Sequence, residues 1–466
     1  MKIATDGKFS VTLCLSIFLL LFSLNQPVTY AAGYTYGDYY NNNLTNTTTG
    51  TTQGPSISGK GDEIAFWSNT VSLGSNGISN EIFIWTSPST ITKISSSDSG
   101  LSDLHNTLPS INFTGDRVTY IKDTGASTNK FLMLWKSNES TAKIAEAGSG
   151  KVIDSCKISG NGTKVAFRGN KDFIGTDTSY ELYLWEDGSG VTTKITSTQS
   201  ANAPDTVFSI TYDGTLVALV TKESATSSPQ FTGKNPDGNY ELYLWNKSDS
   251  STTQIASSSG GIGSIEPSVT SYTISTTTGT TSMTKIAFSS DRDFVVNNNP
   301  DNNAEIFLWT IYGSYTSTNT GSYTQITSTS VSGGACRNPQ ISRDGKFVTF
   351  TSNVDIVSGG ISLLTGGTSA IFVWNANGVI TQVNTNSSDN PVIASYTGLY
   401  ESGDIQYGPR ITYFSTADGS EEIYLATSTI PVPATSRWGL IILILVLVSL
   451  AIFMLKRRRQ TTKGEV

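Results

Sequence analysis

"ELYLW" at residues 181–185 returns unchanged at residues 241–245, and the same string in variant form is spread along the chain. It reads "EIFIW" up to Trp85, "FLMLW" up to Trp135, "EIFLW" up to Trp309, "AIFVW" up to Trp374 and "EIYLA" up to Ala426. Six of the eight tryptophans hold this one position. The intervals between successive copies are 50, 50, 60, 64, 65 and 52 residues, room for four short strands and their loops. A fixed period of this size marks a repeat architecture, so the unit is read before the fold.

Each unit keeps one internal order. A first strand such as "PSIS" (Pro55 to Ser58), "PSIN" (Pro109 to Asn112), "CKIS" (Cys156 to Ser159) or "PQIS" (Pro339 to Ser342) runs into a turn with glycine at Gly61, Gly115, Gly162, Gly214 or Gly345. Glycine supplies the positive φ of a tight hairpin. A second strand follows ("EIAFW", "KVAFR", "KIAFS", "FVTFT"), then a variable polar loop, the tryptophan strand, and a fourth strand such as "ITKI" (Ile91 to Ile94) or "YTQI" (Tyr323 to Ile326). Val, Ile, Phe and Tyr alternate with Thr, Ser and Lys at period two, the strand signature. Between the ends no segment has a helical period.

Seven such units predict an all-β chain: a seven-bladed β-propeller of four-stranded antiparallel blades over residues 32–429. Unit seven reaches its third strand at Ile423 to Leu425 and then has no fourth. The segment Asn43 to Ile57 has the phase of a fourth strand leading into a first one, so Leu44 to Thr47 is expected to complete blade seven and close the ring. The order "SI", Gly turn, "AF", "IFxW" resembles the repeats of TolB-type, WD40-like bacterial propellers over roughly Asn43 to Thr427. That resemblance implies the fold and an extracytoplasmic setting.

The ends carry addresses. Lys2 and Lys8, an apolar run from Val11 to Leu24 and small residues around Ala31 have the parts of a secretory signal peptide over residues 1–31, although an uncleaved anchor reads similarly. Residues 438–455 are apolar apart from Ser449 and are followed by Lys456, Arg457, Arg458 and Arg459. This predicts a transmembrane helix with a basic cytoplasmic tail at 456–466, joined to the propeller by a linker at 430–437. "VPATSRWG", with Pro433, Trp438 and Gly439, resembles the IPTL-type C-terminal sorting signals of Gram-negative bacteria. Ala434 and Thr435 stand where that pattern has Thr and Leu. The resemblance implies an exosortase-like processing enzyme as partner and display at the cell surface; an ordinary membrane anchor is the alternative.

Composition narrows the chemistry. Eight of the 30 bases and two of the 37 acids lie in the two ends, leaving 22 against 35 and a net charge of −13 for the body. Such a surface repels a phosphate backbone, so no nucleic-acid partner is expected. His105 is the only histidine, no G-x-S-x-G elbow is present, and Cys156 and Cys336 fall in opposite halves of the ring, so both are expected as free thiols. One repeated acidic loop is a candidate calcium site. Asp237, Asn239 and Glu241 in unit four align with Asp301, Asn303 and Glu305 in unit five, oxygen ligands of the kind Ca²⁺ takes. Asn and Asp also fill β-turns for conformational reasons alone.

The long, variable segments all join second to third strands and crowd one face. Two classes follow: a non-enzymatic envelope propeller that binds a protein or glycan through that face, which is the expectation, or a carbohydrate-active hydrolase or lyase with paired carboxylates in the central funnel.

Overall fold

The computed structural model describes residues 33–428 except 37–38, 97–104, 125–128, 149, 172, 175–178, 199–203, 206, 223–234, 236–237, 258–262, 277–278, 314, 316–320, 358–359, 361–362, 365–368, 385–392, 395–408 and 416–420. Seven antiparallel sheets follow one another around a ring. The first blade runs Thr52–Ile57, Glu63–Ser68, Glu81–Thr86 and Thr90–Lys93 from inside to outside, and blades two to six repeat that order. The turn glycines Gly61, Gly115, Gly162, Gly214 and Gly345 all have φ between 63° and 78°, a conformation side chains resist. Blade five departs from the pattern: Ser264–Thr276 and Gly279–Ser290 pair as one long hairpin.

The packing explains the spacing of the aromatic residues. Strands two and three set an aromatic pair side by side: Phe66 on Phe83, Phe167 on Tyr183, Phe288 on Phe307, Phe350 on Phe372 and Tyr413 on Tyr424 stack with centroids 5.4 to 5.8 Å apart. Pairs of this kind contribute roughly 0.5 to 1.5 kcal/mol beyond burial. The repeated tryptophan faces the neighbouring blade; Trp85, Trp245 and Trp309 are buried in clusters whose other members come from two adjacent blades. The core is therefore seven interblade seams rather than one centre.

The ring closes through its N-terminal segment, four to five residues earlier than the sequence phase suggests. Tyr39–Asn43 pairs with Glu422–Ser428 as the fourth strand of blade seven, and Gly33–Tyr36 adds a fifth. Leu44 to Thr47 instead forms the bend after that strand. It matches Ile195 to Thr198 and Ile326 to Thr329, and its role is to satisfy a buried carboxylate.

That carboxylate is the first residue of the tryptophan strand. Glu81, Glu181, Glu241, Glu305 and Glu422 are all buried. Glu181 accepts the Thr196 hydroxyl at 2.5 Å and the Thr198 N–H at 2.7 Å. Glu305 accepts the Thr327 hydroxyl, the Thr329 N–H at 2.6 Å and the Thr329 hydroxyl at 2.5 Å. In blade seven the donors to Glu422 are Thr45 and Thr47 from the other end of the chain. The same threonine latch thus holds blades three and five and the ring closure.

Cys156 and Cys336 are free and buried, as expected, and burial pushes the Cys156 thiol up to about 12. Among the described residues no helix is long and apolar enough to cross a membrane. The signal segment 1–31, the linker, the span at 438–455 and the sorting residues Pro433, Trp438 and Gly439 lie outside the described residues.

A blind central channel as candidate site

The innermost strands line a central channel of about 250 Å³, to which blades one to six contribute described residues. An inner strand has no partner on its channel side, so it tolerates proline; Pro55, Pro109 and Pro267 accordingly line the wall. The residue before each repeated proline takes a left-handed backbone: Gly54, Leu108, Glu266 and Asn338 have φ of 62°, 54°, 57° and 53°. Three of these are not glycine, and such strain persists where the surroundings over-determine it.

Serine follows Pro55, Pro109 and Pro267 and, in blade four, Phe208, and fastens blade to blade. The Oγ of Ser56 accepts the N–H of Ile111, Ser110 that of Ile158, Ser209 that of Val269 and Ser268 that of Ile341, all at 3.0 to 3.1 Å. Blade three has Lys157 in this column. Its side chain is exposed to the channel yet ringed by protein, and this desolvation lowers its ammonium pKa.

Among the described residues, two rings and a guanidinium cover the turn end of the channel. Where blades one and three have Gly59 and Gly160, blades two and four have Phe113 and Tyr212. Phe113 occupies the space a Cβ on Gly59 would need, 1.8 Å from its ring, and Tyr212 does so against Gly160 at 2.3 Å. The two rings meet edge to face at 5.6 Å, and the Arg343 guanidinium covers both, 4.5 Å from Phe113 and 3.6 Å from Tyr212. Gly59→Ala should therefore expel Phe113 from this floor and destabilise the protein by about 1 to 3 kcal/mol, the usual cost of overpacking. Adding Phe113→Ala should recover part of that loss; additive melting shifts for the two changes would show that the residues do not share the space.

The opposite end lies on the face of the long loops, because strand two returns to the side where strand one began. Backbone bonds tie the residue before each third strand to the next inner strand there: Asn106 N–H to Asn80 O (3.0 Å), Ser264 to Tyr240 (2.9 Å) and Cys336 to Ala304 (2.7 Å). Near this mouth sit Asp154, Asp205 and Glu266 from blades three, four and five. Burial raises the pKa of Asp154 against the opposing pull of Arg168, with which it is ion-paired. Burial likewise raises Glu266, although its carboxylate accepts the Asn338 N–H at 2.6 Å, and the charge of Asp205 adds to both shifts.

The residues of the calcium expectation are only partly gathered. Asp237 lies outside the described residues. The Asn303 amide donates to Asp301 at 3.1 Å and to Thr329 O at 2.9 Å, while Glu305 turns into the blade and is engaged by the threonines. Asn239 offers its backbone carbonyl to Asn235 at 2.8 Å, and Glu241 is buried like Glu305. Among the described residues no three acidic, His or Cys side chains converge as a metal-binding group. His105 opens the inner strand His105–Ile111 and is exposed, paired in register with Asp123.

Lys157 and the aromatic floor carry a signal the sequence already held. Stacking the first strands in a column gives serine at 56, 110, 209 and 268 against Lys157 and Gln340, and glycine at 59 and 160 against Phe113, Tyr212 and Arg343.

No family model matches the chain, and no curated protein matches it. Solved structures do. An oligogalacturonate lyase from Vibrio parahaemolyticus is similar at a TM-score of 0.50 and 11% identity, covering 88% of this chain and 99% of the other. The β-propeller domain of the trilobed protease of Pyrococcus furiosus gives 0.48 and 12%, over 84% and 100%. A TolB protein of Agrobacterium tumefaciens gives 0.34 and 10%, over 82% and 92%. At these identities the likeness is one of fold, and the fold is a β-propeller. The expectation of a non-enzymatic role draws no support from such neighbours.

Proposed function

We propose that the chain is an exported, membrane-anchored propeller that binds a protein or glycan through its loop-rich face, displayed on a Gram-negative cell envelope after processing of its C-terminal tail. The observation that carries this reading is the channel itself: among the described residues Phe113, Tyr212 and Arg343 cover its turn end, and its other end lies on the face with the long loops. Rigid blades with variable loops at a pocket mouth are where recognition resides. The test is binding of the full-length protein in a neutral detergent to arrayed glycans and envelope proteins, together with protease treatment of intact cells. Saturable binding lost on shortening the loop at 69–80, and digestion of the propeller from outside, are the expected results. A propeller protected in intact cells refutes surface display.

The enzymatic reading is favoured by one observation, the neighbouring carboxyl groups of Glu266 and Asp205 near the mouth, close enough for the charge of Asp205 to act on Glu266. Two carboxyl groups so placed are the kind that serve as general acid and base. New reducing ends or unsaturated products from a polysaccharide, abolished by Glu266→Gln, would replace binding with catalysis.

Calcium belongs to this proposal in a narrowed form. Asn299 is buried and its Oδ1, like that of Asn303, has no hydrogen-bond donor. Together with Asp301 they are the oxygens a cation at this loop would use, since Glu305 is engaged elsewhere. Calcium at about 100 times its Kd should then stabilise the protein by about 2.7 kcal/mol relative to EDTA, and Asp301→Ala should abolish the shift. Equal melting in calcium and EDTA returns the loop to turn chemistry.

A further inference from the structure

Two cations line the channel, Lys157 from blade three and Arg343 from blade six. Among the described residues neither side chain has an ion pair or a hydrogen bond; Arg343 has only the faces of Phe113 and Tyr212. An uncompensated charge in a desolvated space costs stability. The cost at blade three is greater still, because lysine there also forgoes the serine bond that fastens four other blade junctions. A repeat that breaks its own rule at a cavity wall marks a functional position.

We propose that Lys157 and Arg343 form a carboxylate-binding subsite in the floor of the channel. The guanidinium lies over Tyr212 with its face covered, so its N–H edge is what remains for a ligand, and that edge matches a planar carboxylate. Lys157 supplies a second, movable donor from the wall. A doubly charged phosphate is disfavoured by Asp205 and Glu266 near the mouth; a single carboxylate on an otherwise neutral body passes them at less cost. A uronate sugar and the C-terminus of a peptide both present this group. The inference rests on the channel being a ligand cavity and stands apart from export and from recognition by the loop face.

The test is calorimetric titration of the full-length protein in neutral detergent with glucuronate, N-acetylglycine, inorganic phosphate and glucose. Saturable binding of a carboxylate, with none for glucose, is expected. Tighter binding of glucuronate assigns a uronate source, tighter binding of N-acetylglycine a peptide terminus, and equal binding recognition of the carboxylate alone. Lys157→Ser should weaken binding at least tenfold while raising the melting temperature, since it restores the serine bond to blade four and removes the lone charge. Arg343→Lys keeps a charge but loses the fork, and should also weaken binding. No saturable carboxylate binding, phosphate bound more tightly than both carboxylates, or full affinity in Lys157→Ser with its fold intact would each overturn the proposal.

Discussion

Deleting residues 39–47 from the full-length chain should lower the melting temperature by about 5 to 10 °C. The segment supplies the fourth strand of blade seven through the register Tyr39↔Ser428 to Asn43↔Tyr424, and the Leu44 N–H continues the ladder to Ile423 O at 2.8 Å. Tyr39 is buried between blades six and seven, and full burial of such a side chain is worth about 1.5 to 3 kcal/mol. The larger loss is at Glu422. Without Thr45 and Thr47 its buried carboxylate loses those donors, and breaking the support of a buried charge costs about 3 to 5 kcal/mol. Asn41 would be lost as well; it bridges Val383 O at 3.0 Å and the Tyr413 hydroxyl at 2.8 Å, tying blade six to blade seven. Removing only residues 33–36 strips an additional outer strand and should shift melting by no more than about 2 °C. Calorimetry of the three chains decides the matter: equal melting of parent and 39–47 deletion would show that the ring is held shut by other contacts.

The register of that closure shows how far the sequence can be read. Repeats, strand order and turn glycines were legible because each rests on local chemistry that recurs: positive φ at the hairpin, apolar alternation, one tryptophan per unit. The closing strand was misplaced because "YYNNN" (Tyr39 to Asn43) lacks β-branched residues, and asparagine is depleted in strands. What aligned with the other units was the Thr-x-Thr that follows the strand, whose purpose is visible only once Glu422 is seen buried against it. The same blindness touched Glu241 and Glu305. Beside Asn and Asp they read as calcium ligands, while for Glu305 the Thr-x-Thr some 20 residues downstream gave the competing signal. The channel was the least legible part. Lys157 acquires its surroundings from six blades, so no local period announces it; only the column of serines does.

The second large effect is expected at Glu305. Its carboxylate collects the Thr327 hydroxyl and both the N–H and hydroxyl of Thr329, and Thr327 in turn accepts the Ile306 N–H at 2.9 Å. Glu305→Ala leaves those donors buried without an acceptor and opens a cavity, a loss of about 3 to 5 kcal/mol. Glu305→Gln keeps the shape and one acceptor oxygen, and should cost no more than about 1 kcal/mol at neutral pH. The two forms differ in pH dependence. Burial raises the Glu305 pKa despite its threonine donors, so the folded state holds the proton more tightly than the unfolded chain. Its favourable contribution is complete below the unfolded pKa of about 4.3 and fades as pH climbs through the raised folded value. Glu181, raised by burial in the same way, adds to the trend. Between pH 4.5 and 7.5 the parent should therefore lose stability relative to Glu305→Gln, which has no proton to release. Denaturant midpoints across that range measure the difference directly. A parent that instead gains on the glutamine variant as pH rises would mean that the threonine donors outweigh desolvation, and that this latch is strongest as a carboxylate.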